Sequence, residues 1–462
     1  MQQALRHHRA QRLTEASALY RRVLATEPNN PAALQNLGLI AIHRGRFPFA
    51  VELIGKAVVH QPDDAGAHYN LGVALQGSRR WDEALQSYDR AITLRPDFAE
   101  AFYNRANVLR ERGRLAQAIA DYRQALAIDP GLVAAYANTA NCLAALGRAD
   151  EAVANYQAAL ARAPNEAEIH NNLGAVLADL GRIDEAVAAY RHALSLDPRC
   201  ADAWFNLHST LYDGDFERAA DCLEQMLKIT PDNVTGRFLL AVLRDRQGQE
   251  AVAGAHFAAL PPDDVLTRYG RDAWDYVKST GAGVRLFGET AEGLALGLAA
   301  ASLDGLVLEF GVRYGSTIRQ IAARAEQEVH GFDSFTGLPE DWHGRPANTF
   351  SADGELPQVP PNVHLHVGLF EDTLPPFLEA HAGPAGFVNV DCDLYSSTKT
   401  VLTLLAPRIV PGTVMVFDEY LFAPHWRDDE YKAFQEAVVA HGWRYDYLGF
   451  SPVSRQAVVI IR

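Results

Sequence analysis

The chain is poor in cysteine and short of basic charge. Only four cysteines occur in 462 residues: Cys142, Cys200, Cys222 and Cys392. None belongs to a CxxC pair, so neither a disulfide framework nor a zinc site is expected. Lys and Arg total 42 against 57 Asp and Glu, a formal net charge of −15. Such a chain lacks the basic footprint that phosphate backbones demand, so no nucleic-acid partner is expected. Long apolar runs are also missing. The most apolar stretch, residues 293–303, is too short to span a bilayer, and no membrane contact is expected. The first residues hold no apolar signal core. A reducing compartment, most simply the cytoplasm, fits these absences. What is present is a 48% hydrophobic fraction, enough for packed cores. The length allows about three domains at roughly 150 residues each.

The first half repeats itself. Prolines fall at Pro28, Pro62, Pro96, Pro130, Pro164 and Pro198, each 34 residues apart, and then at Pro231. In register with them run Ala50, Ala84, Ala118, Ala152, Ala186 and Ala219, and also Tyr88, Tyr122, Tyr156 and Tyr190. Glycines recur at Gly45, Gly113, Gly147, Gly181 and, one residue early, Gly214. Small residues let two helices approach, glycine turns the chain, and proline closes the second helix. The pattern resembles the tetratricopeptide repeat (TPR) over about residues 1–248. That resemblance implies an α-solenoid of about seven repeats, with a truncated first one.

One recurrence is not explained by packing: Asn36, Asn70, Asn104, Asn138, Asn172 and Asn206. In the TPR pattern this position lies on the first helix, which lines the concave groove. A ladder of amides, each both donor and acceptor, can hold an extended protein or peptide partner by its backbone. It is similar to the asparagine ladder in the TPR arm of O-GlcNAc transferases. The alternative is that each amide bonds a neighbouring helix and fixes the superhelix.

From residue 249 to 285 the repeat stops at Pro261-Pro262, and an aromatic stretch with Tyr269, Trp274 and Tyr276 follows, read as a capping helix or a lid. Residues 286–462 then alternate apolar runs with amphipathic stretches. Strands are expected at 306–310, 329–333, 363–367, 387–391, 413–418, 444–448 and 456–461, the last two as an antiparallel hairpin at one edge. The expected fold is therefore multidomain. An all-α solenoid precedes an α/β, Rossmann-like domain with a seven-stranded, mostly parallel sheet, which resembles the class I methyltransferase fold.

Residues 306–317, LVLEFGVRYGST, read as strand, glycine turn and helix start. Gly311 and Gly315 would admit a ligand to the helix N-terminus at Ser316. Glu309, before the first glycine, is what S-adenosylmethionine (SAM) sites of this fold carry. Asp333, ending the second strand beside Ser334, is placed to accept from ribose hydroxyls. SAM is the expected cofactor, with NAD as runner-up. Arg313, inside the turn, has no role legible in the sequence.

Two acidic pairs end the fourth and fifth strands: Asp391 with Asp393, and Asp418 with Glu419. Adjacent strands lie about 4.8 Å apart, so the four carboxylates should converge. Their repulsion calls for a cation, and all-oxygen ligation selects Mg²⁺ or Ca²⁺. The segments GVRYGST, DSFTGLP, DCDLYSST and PGTVMVFDEY resemble the macrocin O-methyltransferase family, metal-dependent enzymes that methylate sugar hydroxyls. The resemblance implies Asp391, Asp418 and Glu419 as metal ligands and Asp393 as general base. Glu419 departs from the family's second aspartate. The expected function is O-methylation of a sugar or vicinal diol, on a small molecule or glycan. Two alternatives are a non-catalytic TPR scaffold with a relic domain and a TPR-linked glycosyltransferase. The stretch 334–361, with Trp342 and His343, reads as a substrate lid or a surface loop.

Overall fold

The computed structural model describes every residue except 213, 214, 282 and 353. Gly214, one of the recurring glycines, therefore lies outside the described residues. The chain divides into two compact units: residues 1–146 with 150–164, and residues 147–149 with 165–462.

The first unit is built of paired helices at the period read from the sequence. Pro31–His43 pairs with Phe47–His60, Ala65–Gly77 with Trp81–Leu94, and Ala99–Glu111 with Leu115–Ile128. The truncated opening helix is Gln2–Arg9. Ala50, Ala84 and Ala118 are completely buried, as are Tyr20, Tyr88 and Tyr122. The small residues let helices close on one another, and the tyrosines fill the remaining volume. Each tyrosine hydroxyl needs a partner: Tyr88 donates to Gln76 at 2.7 Å and Tyr122 to Asn107 at 2.6 Å. Gly113 turns the chain between helices at φ +74°, where a side chain would be strained.

The second unit opens with three more pairs. Ala167–Asp179 packs on Ile183–Leu196, Ala201–Ser209 on Phe216–Ile229, and Val234–Arg246 on Glu250–Ala258. The last of these continues the repeat past residue 248. Its second helix is short and lacks the tyrosine and proline that mark its predecessors, yet Ala253 and Phe257 are buried as in any repeat. The helix Val265–Ser279 then bridges repeat and sheet: Trp274 Nε1 donates to Asp245 at 2.7 Å, and the Tyr276 and Tyr447 hydroxyls meet at 2.7 Å.

The sheet has eight strands: β1 (Arg285–Leu286), β2 (Leu306–Phe310), β3 (Val329–Asp333), β4 (Val363–Val367), β5 (Ala385–Val390), β6 (Val414–Phe417), β7 (Tyr445–Phe450) and β8 (Ala457–Ile461). Their order is β1-β7-β8-β6-β5-β2-β3-β4, with β8 antiparallel to both neighbours and all other pairs parallel. Seven strands stand where the sequence predicts them. The eighth, β1, is two residues long and pairs beyond β7, so the hairpin is not the outermost edge. No hydrophobic run of two residues can announce a strand.

Both faces of the sheet are covered, which explains the near-continuous apolar strands. Val307, Phe387, Val414 and Val416 pack with Leu294, Ile318 and Ile321 from helices Thr290–Ala300 and Ser316–Ala322. Leu308, Val388, Met415 and Phe417 pack on the other face with Phe377, Leu402 and Phe434 from helices Phe370–Ala380, Tyr395–Leu405 and Glu430–His441. The sheet reverses its order between β5 and β2, and the carboxyl ends there form a crevice.

Candidate active site

A cavity of about 620 Å³ opens at those carboxyl ends. Gly311, Ser316, Asp333, Ser334, Asp391, Asp393, Asp418 and Glu419 all line it. Eight residues singled out in the sequence therefore share one wall. Glu309 and Gly315 do not line the cavity; they stand behind it.

The glycine turn is shaped by contact. Gly311 has φ +93°, and a Cβ there would sit 1.6 Å from the Asp391 carbonyl oxygen. Only glycine lets the ends of β2 and β5 close to this distance. Gly315, at φ +76°, is the N-cap of helix Ser316–Ala322. Asp333 has a second task that the sequence did not disclose. Its Oδ2 accepts from the backbone N–H of Val312 at 2.8 Å and of Arg313 at 2.7 Å, and its Oδ1 accepts from Phe335 N–H at 2.6 Å. The acid that ends β3 fastens the glycine turn and still faces the cavity.

Glu309 is fully buried on β2. Its Oε1 accepts from Asn389 Nδ2 at 2.9 Å, while its Oε2 has no hydrogen-bond partner. Burial pushes its pKa up to about 8, against opposing hydrogen bonds from Thr317 and Asn389. A raised acid holds its proton in the folded state after the unfolded chain has released it. Its stabilising contribution is thus present below the ordinary 4.5 and is lost as pH rises towards 8. Glu309→Gln should therefore flatten the fall in melting temperature between pH 5 and 8. An unchanged slope would remove Glu309 from that account.

The carboxylates converge as the acidic pairs implied. Burial raises Asp391 well above the carboxylate range, with Asp418 and Asp393 adding repulsion. Asp418 rises to about 7 for the same first cause, although its Oδ1 accepts from Gln456 Nε2 at 2.6 Å. Glu419 is turned to Arg455, whose Nη1 lies 3.2 Å from each of its oxygens. Asp393 sits at φ +59° and is pushed up to about 6 by burial, with Glu419 next, while Arg345 and Arg313 pull it down. Sequence reasoning missed Glu430, the first residue of helix Glu430–His441. It is fully buried, neither carboxyl oxygen has a hydrogen-bond partner, and Asp418 and Asp393 add to the burial that raises its pKa. No motif surrounds it, so nothing in the sequence marked it. Among the described residues, no three or more His, Cys, Asp or Glu side chains stand in an arrangement ready to hold a metal ion.

Part of the stretch 334–361 lines this cavity, through Ser334, Gly337, Leu338, Pro339, Glu340 and Phe350. Leu338 N–H donates to Thr349 O, Asn348 N–H to Leu338 O, and Ala352 N–H to Phe335 O. Phe350 lines the cavity, and His343 Nε2 lies 2.9 Å from Asp429 Oδ2. His343 thus pins the stretch to the residue before the Glu430 helix.

The asparagines of the repeats make local bonds. Asn104 Nδ2 donates to Tyr69 Oη at 2.8 Å, and Asn138 Nδ2 to Tyr103 Oη at 3.2 Å and Asn107 Oδ1 at 3.3 Å. Asn206 Nδ2 donates to Asn171 Oδ1 at 3.0 Å, Asn171 Nδ2 to Asn172 Oδ1 at 3.3 Å, and Asn36 Nδ2 to Ala32 O at 2.7 Å. Asn70 has no side-chain hydrogen bond among the described residues. All six amides are half-buried. Three of them join one repeat to the preceding one. Replacing Asn104 and Asn138 together with alanine should cost the first unit about 1–3 kcal/mol in urea unfolding. No loss would mean that these bonds do not hold the repeats together.

A strand–glycine turn–helix, an acid on the next strand and a crevice at the sheet's reversal define a Rossmann-like methyltransferase domain carried behind TPR repeats. Family comparison agrees. A methyltransferase-domain family matches residues 308–420, and tetratricopeptide-repeat families match residues 7–74, 69–133, 131–199 and 208–264. The chain is 31% identical over 186 residues to 8-demethyl-8-(2,3-dimethoxy-alpha-L-rhamnosyl)-tetracenomycin-C 4'-O-methyltransferase of Streptomyces olivaceus, covering 34% of this chain and 69% of that enzyme. It belongs to that methyltransferase family. It is also 37% identical over 73 residues to demethyldecarbamoylnovobiocin O-methyltransferase of Streptomyces niveus, covering 15% of this chain and 27% of that enzyme. Among solved structures it is similar to MamA, with 29% identity, 36% of this chain and 96% of that chain covered, and a TM-score of 0.34. It is similar also to YrrB, described as a TPR protein with an unusual peptide-binding site, with 27% identity, 40% and 95% covered, and a TM-score of 0.36. Among the described residues no helix is long and apolar enough to cross a membrane.

Proposed function

We propose that the protein is a SAM-dependent O-methyltransferase acting on a sugar or vicinal-diol hydroxyl, assisted by a divalent cation. The observation that carries this reading is the meeting of the glycine turn and four carboxylates on one cavity wall. The tetracenomycin relative, by its name a rhamnosyl 4'-O-methyltransferase, supports a sugar acceptor.

The cofactor fits the residues present. Gly311, Ser316 and Thr317 line the cavity at the start of helix Ser316–Ala322, Asp333 and Ser334 offer polar edges, and the buried Glu309 Oε2 has no hydrogen-bond partner. SAM, when bound, supplies an electrophilic methyl group. Asp393 lies at the cavity wall with a pKa near the working pH, suited to receive a hydroxyl proton. The glycine turn and the 334–361 stretch hold reactants in register and exclude water.

A hard cation fits in donor chemistry, because the cavity side chains are all-oxygen and mutually repelling. Asp391 and Asp418 would hold it, with Glu419 joining on release from Arg455. Its chemistry would be to lower the pKa of a ligated hydroxyl. The TPR repeats serve as an arm for a protein or peptide partner.

The test is calorimetric titration with SAM, NAD and Mg²⁺, followed by methyl transfer to a panel of sugars with and without chelator. SAM binding with chelator-sensitive transfer is expected. Binding of NAD but not SAM refutes the reading, and transfer indifferent to chelator removes the cation from it.

A further inference from the structure

Two arginines at this site form no ion pair among the described residues. Arg313 lies inside the glycine turn and lines the cavity. Its guanidinium carbon is 4.6 Å from the centre of the Tyr314 ring and 5.1 Å from that of Phe350. Arg345, carried by the 334–361 stretch, has its guanidinium carbon 5.1 Å from the same Phe350 ring and 5.1 Å from Trp342. The two cations thus gather on one aromatic side chain, which itself lines the cavity. Neither guanidinium has an ion pair or a hydrogen bond among the described residues. Other arginines nearby are spent: Arg455 on Glu419 and Arg427 on Asp272 at 2.8 Å.

Two like charges brought together without a partner repel. The stacked rings repay part of that cost, and they hold each planar fork in a fixed orientation. The backbone is held in the left-handed region at Arg313 (φ +48°), Phe350 (φ +65°) and Asp393 (φ +59°), which is costly for residues with side chains. The three are a cation, the ring that it shares with Arg345, and a carboxylate of the same cavity.

A neutral sugar needs no such wall, and a cationic one would be repelled by it. We propose that the acceptor is an anionic sugar, one bearing a carboxylate or phosphate group, and that Arg313 and Arg345 grip that oxyanion while a neighbouring hydroxyl is presented to Asp393. The inference rests on the methyl-transfer reading of the cavity and names its substrate class. Guanidinium forks match carboxylate and phosphate oxygens in pairs, and the Phe350 ring lining the cavity suits the apolar face of a pyranose.

The experiment compares three probes by calorimetry on the SAM-loaded full chain: a methyl glucuronide, glucose 6-phosphate and a methyl glucoside. At least one anionic probe should bind tenfold or more tightly than the neutral glucoside, and the tighter one identifies the anion. Raised salt should narrow the difference. Arg345→Gln and Arg313→Gln should each reduce the preference several-fold, with Arg345→Gln still binding SAM as evidence of an intact fold. Equal binding of charged and neutral probes overturns the proposal, as does a variant that weakens all three equally. Methyl transfer is scored separately. Anion preference without transfer upholds the arginine site and sinks the methyl-transfer reading, and transfer to neutral sugars without anion preference does the reverse.

Discussion

Asp393→Asn should lower kcat by roughly 10²–10⁴-fold, the usual loss of a general base, while the affinities for SAM and a divalent ion stay near wild type. Asparagine keeps the shape and tolerates the left-handed backbone that Asp393 adopts at φ +59°. It cannot take a proton. Asp393 stands two residues beyond Asp391 in the turn that follows β5, and the Asp391 backbone N–H donates to Phe310 O at 2.8 Å and so anchors that residue at the sheet. On the proposed reading, the outer acid serves the acceptor and the inner one the cation. Asp418→Asn should lose ion and activity together, and chelator should reproduce that loss in the wild type. Metal titration of both variants beside the transfer assay separates the roles. If Asp393→Asn loses the ion as Asp418→Asn does, the assignment of base and ligand is wrong.

Gly311→Ala should abolish SAM binding and lower stability by about 3–5 kcal/mol. Two terms add. Alanine at φ +93° carries the backbone cost of the left-handed region, about 1–2 kcal/mol. Its Cβ would also lie 1.6 Å from the Asp391 carbonyl oxygen and 2.6 Å from the carbonyl carbon. Those are backbone atoms just past the end of β5, so the ends of β2 and β5 must part. Gly344→Ala provides the comparison. Gly344 has φ +85° with nothing within 4 Å, so it should show the backbone term alone. Thermal unfolding and SAM titration of both variants measure the difference. Equal destabilisation would mean that contact with Asp391 is not what selects glycine at 311.

Much of this protein was determined by local sequence. The repeats were legible because every TPR unit solves the same packing problem with the same small residues, so proline, alanine and tyrosine recur in register. The seven long strands were legible because a sheet covered on both faces needs continuous apolar runs. The cavity wall followed from position: Gly311, Asp333, Asp391, Asp393, Asp418 and Glu419 all sit at the carboxyl ends of strands, where a parallel sheet gathers whatever its loops begin with. Tertiary structure alone decided the rest. Asp333 bonds three backbone amides because β3 brings it beside the turn after β2, a closeness that no spacing encodes. Asn104 and Asn138 reach back to the preceding repeat, which only stacking could reveal. Glu430 joins the carboxylates from a helix start with no motif around it. Arg313 and Arg345, 32 positions apart in the sequence, meet at Phe350 only because the 334–361 stretch folds back over the sheet. A contact of that kind is fixed by the path of the chain in space, and one-dimensional patterns carry no record of it.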